Sequence, residues 1–537
     1  MLPDIRDYEG LSRDFRWNVP SRYNIGVDVC DRWAATEPTR AAIIEDRADG
    51  VVVTSFGALR DLSNRFANAL RERGVNSGDR VAILLPQTLA TAVAHIAIYK
   101  LGAVALPLAS LFGAEALDYR MRDAGARAVV TNSSGVEKLR LIEPALADLE
   151  AIFSIDGADG DAVDFNAAVE CASADFAPVD TGADEPAMMI YTSGTTGPPK
   201  GALHAHRVLL GHLPGVQLPH EFFPQPGDLF WTPADWAWAG GLLNVLLPSL
   251  HFGVAVVARR FDRFDPEAAL DLMARLKVRN AFIPPTALRM LRTVSNPRAR
   301  FDLNLRTLAS GGEALGAETY EWGRETLGLT INEFYGQTEC NLVLCSCAAI
   351  GVSRAGAIGK ATPGHDVAVI RPDGVACDVG ELGQIAVKRP DPVMFLGYWR
   401  RPDATRDKFI GDWMTTGDQG YMDEDGYVFF VGRDDDVITS SGFRIGPTEI
   451  EDCLLRHPAV AVAAAVGKKD PLRTEIVKAF IVLRPGFAPS PGLVEDIKSF
   501  VRTRLSAHEY PREVEFVSEL PLTTTGKVIR RLLRDRD

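Results

Sequence analysis

Up to Val431 the chain alternates short apolar runs with stretches long enough for a helix. Between Arg80 and Leu108 it reads RVAILLPQTLATAVAHIAIYKLGAVALPL, an apolar run, a helix-length segment and a second apolar run, which predicts a strand–helix–strand unit. The order recurs at Ala128–Thr131 before Val136–Leu149, and at Gly253–Val257 before Pro266–Leu276. Repeated units of this kind indicate α/β architecture with largely buried strands. Ala187–Ile190 is a further expected strand, and the long polar stretch Ser154–Pro186 before it reads as a surface connection.

After Val431 the character changes. The polar sequence GRDDDVITSSGFRIGPTEIE leads into a compact region containing AVAAAVG, EIVKAFIVL and EVEFV, the pattern of a small α+β domain behind a hinge. With 537 residues, 46% of them hydrophobic and 24% charged, the chain is long enough for more than one core. The expected division is a large domain over 1–432, a hinge at 433–436 and a small mobile domain over 437–537.

Charge removes one class of function: at a net charge of -13, the chain lacks the basic face that would displace counterions from nucleic acid. The N-terminal MLPDIRDYEGLSRDFRW has early acidic residues and no apolar core, so it resembles neither a secretory signal nor a transit peptide. No apolar run reaches membrane-spanning length, and a cytoplasmic location is the expectation. The 7 cysteines are scattered; Cys340, Cys345 and Cys347 lack a second pair at zinc-site spacing and read as small buried side chains.

The candidate chemistry begins at Thr192–Lys200, TSGTTGPPK. Gly194 and Gly197 allow close backbone approach, Thr192, Ser193, Thr195 and Thr196 supply hydroxyls, and Lys200 supplies positive charge, a combination suited to a polyphosphate. A Walker A loop is excluded, because Lys200 follows proline and precedes Gly201 rather than Ser or Thr.

With SGGEAL (310–315), EFYGQTE (333–339), TGDQGY (416–421), GRDDDVITSSGFRIGPTEIE (432–451) and PLTTTGK (521–527), in that order, the sequence resembles the adenylate-forming superfamily of acyl- and aryl-CoA synthetases. The resemblance implies a large N-terminal domain of layered sheets and helices with a mobile C-terminal lid, using ATP, Mg²⁺ and CoA. It places Glu339 on the metal and Thr338 on phosphate. Gly312, Glu313 and Ala314 would border the adenine with Tyr335 stacked on it, within the nucleotide-binding run Glu333, Phe334, Tyr335, Gly336, Gln337. Asp418 and Arg433 would hold the ribose, and Asp435 would be the pivot. Lys527 would be the catalytic lysine, bridging carboxylate and phosphate oxygens. Ser441, Gly442 and Phe443 would line a pantetheine tunnel, with Arg444 and Arg473 facing CoA phosphates.

The acyl pocket implied by the resemblance takes in Trp236, Trp238, Gly240 and Gly336, and glycine rather than tryptophan at 336 leaves room for an acid larger than acetate. The details look most like bacterial medium-chain acyl-CoA synthetases, and branched or aromatic acids fit the same residues. The expected function is an ATP-dependent acid–CoA ligase acting on a medium-chain, branched or aromatic acid; the alternative is a stand-alone adenylating enzyme that loads an acyl carrier protein. A pseudoenzyme is disfavoured by Lys200, Glu339, Asp418 and Lys527 occurring together. The resemblance also leaves room for a homodimer and for a lysine acetyltransferase acting on Lys527.

Overall fold

The computed structural model describes residues 2–142, 146–192, 198–261, 263–434, 436–440, 443–470, 474–505, 510–523 and 527–536, with backbone alone at 439, 443, 444 and 449. Among these residues the large N-terminal domain contains an eight-stranded sheet and a nine-stranded sheet, joined to a smaller five-stranded one.

The unit predicted over 80–108 forms as a strand Arg80–Leu84, a helix Leu89–Lys100 and a strand Val104–Pro107, the strands parallel with Arg80 opposite Val104. Thr88 caps the helix by accepting from the Thr91 N–H at 3.3 Å. Every residue from Thr91 to Lys100 is buried, because this helix is apolar on nearly all sides and is enclosed by the main core. Lys100 is tolerated there by Asp31 at 2.5 Å, Asn64 at 2.8 Å and Ser63 at 2.9 Å, which satisfy the donors of a buried ammonium.

The strands at 126–131 and 256–258 also form, followed by helices Ser133–Arg140 and Pro266–Arg275. The first helix stops short of the expected Leu149. The connection over 154–186 is more than a surface strap: it carries a helix, Phe165–Cys171, whose Phe165 ring packs 4.7 Å from Phe66.

Two features of the large domain place the site. Helix Val208–Gln217 is buried on all sides, and an added Cβ at Gly215 would lie 2.4 Å from Leu342, so glycine lets the hairpin of Ile331–Gln337 and Cys340–Cys345 approach its backbone. In the five-stranded sheet, Trp413–Met422 pairs antiparallel with Val428–Arg433 and sets Asp418 opposite Arg433.

The smaller C-terminal domain is α+β as expected. Val460–Asp470, Thr474–Leu483 and Glu513–Phe516 form its sheet with Ile438–Ser440 and Phe443–Ile445, beside helices Pro447–Leu455 and Pro491–Arg504. Its apolar cluster of Ile438, Ile450, Leu454, Val477, Ile481, Ile497 and Val501 is separate from the main core, which is how an independent folding unit is built. All seven cysteines are free thiols. Among the described residues no helix is long and apolar enough to cross a membrane, and no group of three or more His, Cys, Asp or Glu could hold a metal by itself.

Candidate active site

The phosphate-loop motif begins at the end of the strand Pro186–Thr192 and finishes on Lys200–Ala205, which pairs back antiparallel with Thr192 opposite Lys200. Ser193, Gly194, Thr195, Thr196 and Gly197 lie outside the described residues. Both flanks are pinned from outside the hairpin. The Tyr191 hydroxyl donates to Asp123 at 2.6 Å, and the Tyr119 hydroxyl donates to the Pro199 carbonyl at 3.0 Å. The Lys200 ammonium lies 5.2 Å from the ring of Tyr398, and the Tyr398 hydroxyl donates to the Glu339 carboxylate. Burial first, and then the Glu339 charge, push the Tyr398 phenol far above its ordinary value, so it stays a donor. Glu339 itself is buried, at 7% exposure.

Asp418 is buried, at 6% exposure. It accepts from the Tyr335 hydroxyl at 2.5 Å and from Gln337 Nε2 at 2.9 Å, and Arg433 Nε stands 3.9 Å away. Tyr335, desolvated and beside this charge, is held well above the usual phenol range. The sequence motifs placed Tyr335 on adenine and Asp418 on ribose without showing that the two are bonded to each other.

Gly312 has a φ of +94°, and a Cβ added there would meet nothing within 4 Å, so the turn demands glycine and leaves open space above it. Next to it Glu313 is tied down by Arg289 at 2.7 Å and by Thr286 at 2.9 Å. Ala314 and Glu333 line a cavity of about 320 Å³ at the junction of the two domains; Gly446, Thr448 and Asp452 close it from the small domain. Burial pushes the Glu333 carboxyl up to about 8 and the Asp452 carboxyl up to about 7. Phe334 is buried against Phe282, ring centroids 5.0 Å apart.

Lys527 reaches the same junction from the far end of the chain. It sits on a hairpin turn closed by the Ile529 N–H to Pro521 carbonyl bond at 2.8 Å and the Thr523 N–H to Lys527 carbonyl bond at 2.7 Å. Desolvation of the Lys527 ammonium lowers its pKa, while Glu313 and Asp418 act to raise it. A lysine 109 positions beyond Asp418 in the chain is thus within electrostatic range of Glu313 and Asp418.

Of the expected acyl-pocket residues, Trp236 is fully buried in the main core, whereas Trp238 is half-buried with its ring 5.8 Å from Phe112. Gly240 faces Phe282, which an added Cβ would meet at 3.1 Å. Gly336 is more constrained than the sequence suggested. A Cβ there would lie 2.4 Å from the backbone of Asn341 and Leu342, so glycine is required by the hairpin's own irregular register as well as by any open pocket. Ser441, Gly442, Arg473 and Asp435 lie outside the described residues; the backbone of Phe443 and Arg444 forms a strand edge paired with Ile438–Ser440.

Comparison with known proteins decides the family. The chain matches the model of the AMP-binding enzyme over residues 30–399 and that of the AMP-binding enzyme C-terminal domain over 449–527. It belongs to this family of AMP-forming acid–CoA ligases. Relatives include an acetyl-coenzyme A synthetase of Bacillus subtilis, 33% identical over 99% of this chain and 95% of that one. The mitochondrial acyl-coenzyme A synthetase ACSM3 of Rattus norvegicus is also 33% identical, over 99% of this chain and 94% of its own. Among solved structures, the anthranilate CoA ligase AuaEII in complex with anthranoyl-AMP superposes with a TM-score of 0.88 at 28% identity, covering 96% of this chain and 98% of that one. ATP-bound MatB from Rhodopseudomonas palustris gives 0.83 at 30% identity, covering 95% and 98%.

Four side chains of this site were not foreseen from the sequence: Tyr398, Arg289, Asp452 and Lys408, whose ammonium donates to Gln337 Oε1 at 3.4 Å. None falls in a glycine-rich or hydroxyl-rich run, and each is brought in by pairing between segments distant in the chain.

Proposed function

We propose that this chain joins a medium-chain, branched or aromatic carboxylic acid to CoA in two steps at the junction of its domains. In the first, a carboxylate oxygen attacks the α-phosphorus of ATP, the bond to the bridging oxygen breaks, and pyrophosphate leaves. In the second, the CoA thiolate attacks the acyl carbon and AMP departs with the electron pair of the broken C–O bond.

The roles follow from charge. Two anions must meet in the first step, so cations aimed at the developing charge lower its barrier most. Lys527 would bridge the acid and the α-phosphate, and the observation that carries this reading is that a lysine of the small domain lies within electrostatic range of Glu313 and of the buried Asp418. Asp418 and Arg433 hold the ribose hydroxyls. Thr192, Lys200 and the loop between them take the β- and γ-phosphates. Glu339 offers a buried carboxylate oxygen, a hard ligand of the kind taken by a Mg²⁺ that is otherwise bound by phosphate and water. Bound there, Mg²⁺ would neutralise phosphate charge.

The second step needs a different face of the small domain, so domains at 1–432 and 437–537 turn about 433–436 with Asp435 as pivot. Ser441, Gly442 and Phe443 then line the pantetheine path, with Arg444 and Arg473 toward CoA phosphates. The acid is taken to be larger than acetate because glycine rather than tryptophan stands at 336. The test is AMP release with octanoate, with and without CoA. Turnover is expected to require CoA, and equal AMP release in its absence, or release stimulated by an acyl carrier protein instead, overturns the ligase reading.

A further inference from the structure

Lys408 follows the short helix Pro402–Arg406, yet its side chain turns inward toward the nucleotide site. Its ammonium donates to the Thr415 carbonyl at 3.0 Å and to Gln337 Oε1 at 3.4 Å. Glu339 and Asp418 both lie within its electrostatic reach, and desolvation lowers its pKa from the ordinary lysine value.

An ammonium has three donors and no acceptor, so it dictates the orientation of an amide beside it. Gln337 must turn its oxygen to Lys408, which leaves Nε2 to donate to Asp418 at 2.9 Å and to the Thr416 carbonyl at 2.6 Å. The reversed amide would set its oxygen against a carboxylate and a carbonyl at once. Asp418 Oδ2 thereby accepts from both Gln337 Nε2 and the Tyr335 hydroxyl. Unlike Lys527, Lys408 belongs to the large domain and is carried by the same sheet as Asp418, through the pairing of Phe409–Ile410 with Trp413–Met422.

We propose that Lys408 is a positioning residue: by fixing the Gln337 amide it aims the Asp418 carboxylate at the ribose hydroxyls, and it does so in both half-reactions. This rests on the reading of Asp418 as the ribose-binding group.

The experiment compares ATP with 2′,3′-dideoxy-ATP in the full-length enzyme carrying Lys408→Met, Lys408→Arg or Gln337→Met. Wild type is expected to show a markedly higher KM for the dideoxy nucleotide. Lys408→Met should raise KM for ATP by about tenfold with kcat changed less than about threefold, and leave KM for dideoxy-ATP nearly unmoved, because the contact it supports is already missing there. Lys408→Arg should recover most of the discrimination. Gln337→Met breaks the relay without touching Lys408, so it should show the same loss, and combining it with Lys408→Met should add little. Equal shifts for both nucleotides, a loss confined to kcat, or an unchanged KM for ATP in Lys408→Met or in Gln337→Met overturns the inference. A wild type that does not distinguish the nucleotides overturns the ribose role of Asp418 and the inference with it.

Discussion

Asp418 and Lys527 meet at one site but are held there in opposite ways. Asp418 lies in the middle of a ten-residue strand, buried, paired with Arg433 across the ladder and hydrogen-bonded by Tyr335 and Gln337. Lys527 belongs to the small domain, where the Thr523 N–H bonds to its carbonyl at 2.7 Å, and it comes within electrostatic range of Asp418 from a separate unit. Under the proposed roles, the contrast teaches a division of labour. Groups needed throughout the reaction are preorganised by the sheets of the large domain, where desolvation strengthens them at no cost during turnover. A group needed for one step can be carried on a separate domain whose position is an equilibrium.

The largest expected effect separates the two most sharply. Lys527→Ala should lower acid-dependent pyrophosphate formation roughly 10³-fold while thioester formation from supplied acyl-adenylate stays within a few-fold of wild type. Asp418→Ala should damage both steps, each by roughly 10²-fold, since the ribose is present in ATP and in the adenylate alike. Separate assays of the two half-reactions read this out; equal loss of both steps in Lys527→Ala would dissolve the distinction.

Next in size is Glu339→Gln, which keeps the hydrogen bond from Tyr398 but removes the charge. It should raise the Mg²⁺ concentration for half-maximal adenylation by roughly 10–100-fold and leave the thioester step alone. A Mg²⁺ titration that does not move would take Glu339 off the metal.

The smallest effect probes the docking of the lid. Glu333 and Asp452 face the junction cavity from the two domains together with Arg289, Arg292, Arg456 and Glu318. Burial raises these two carboxyls to about 8 and about 7, so the folded, docked state binds protons that the unfolded chain has released. Their contribution to stability is therefore complete below the ordinary carboxyl values and is lost as pH rises through 7 to 8. Asp452→Asn should flatten the fall of Tm between pH 5 and pH 8 by about 2 °C, measured by thermal unfolding across that range. An unchanged slope would mean that Asp452 is not titrating at the interface.

Much of the architecture was legible along the chain because its cause is local. Apolar runs of strand length separated by a helix-length stretch have few ways to bury themselves, and the unit over 80–108 formed as expected. The helix after 131 ended early and the strap over 154–186 gained a packed helix, since both depend on what lies opposite rather than on their own pattern. Among site residues, those in recognisable motifs were visible: Gly312 in SGGEAL, found with a φ of +94°, and Lys200, found opposite Thr192.

By itself the sequence determined the family, the α/β class, the two-part organisation and the identities of the charged groups, because hydrophobic periodicity and glycine-rich turns are written residue by residue. Tertiary structure alone decided which side chains hold those charged groups in place. Whether Lys408 faces Gln337, Tyr398 faces Glu339, or Lys527 comes within range of Asp418 depends on strand register and domain docking, and these are set by burial summed over segments far apart in the chain.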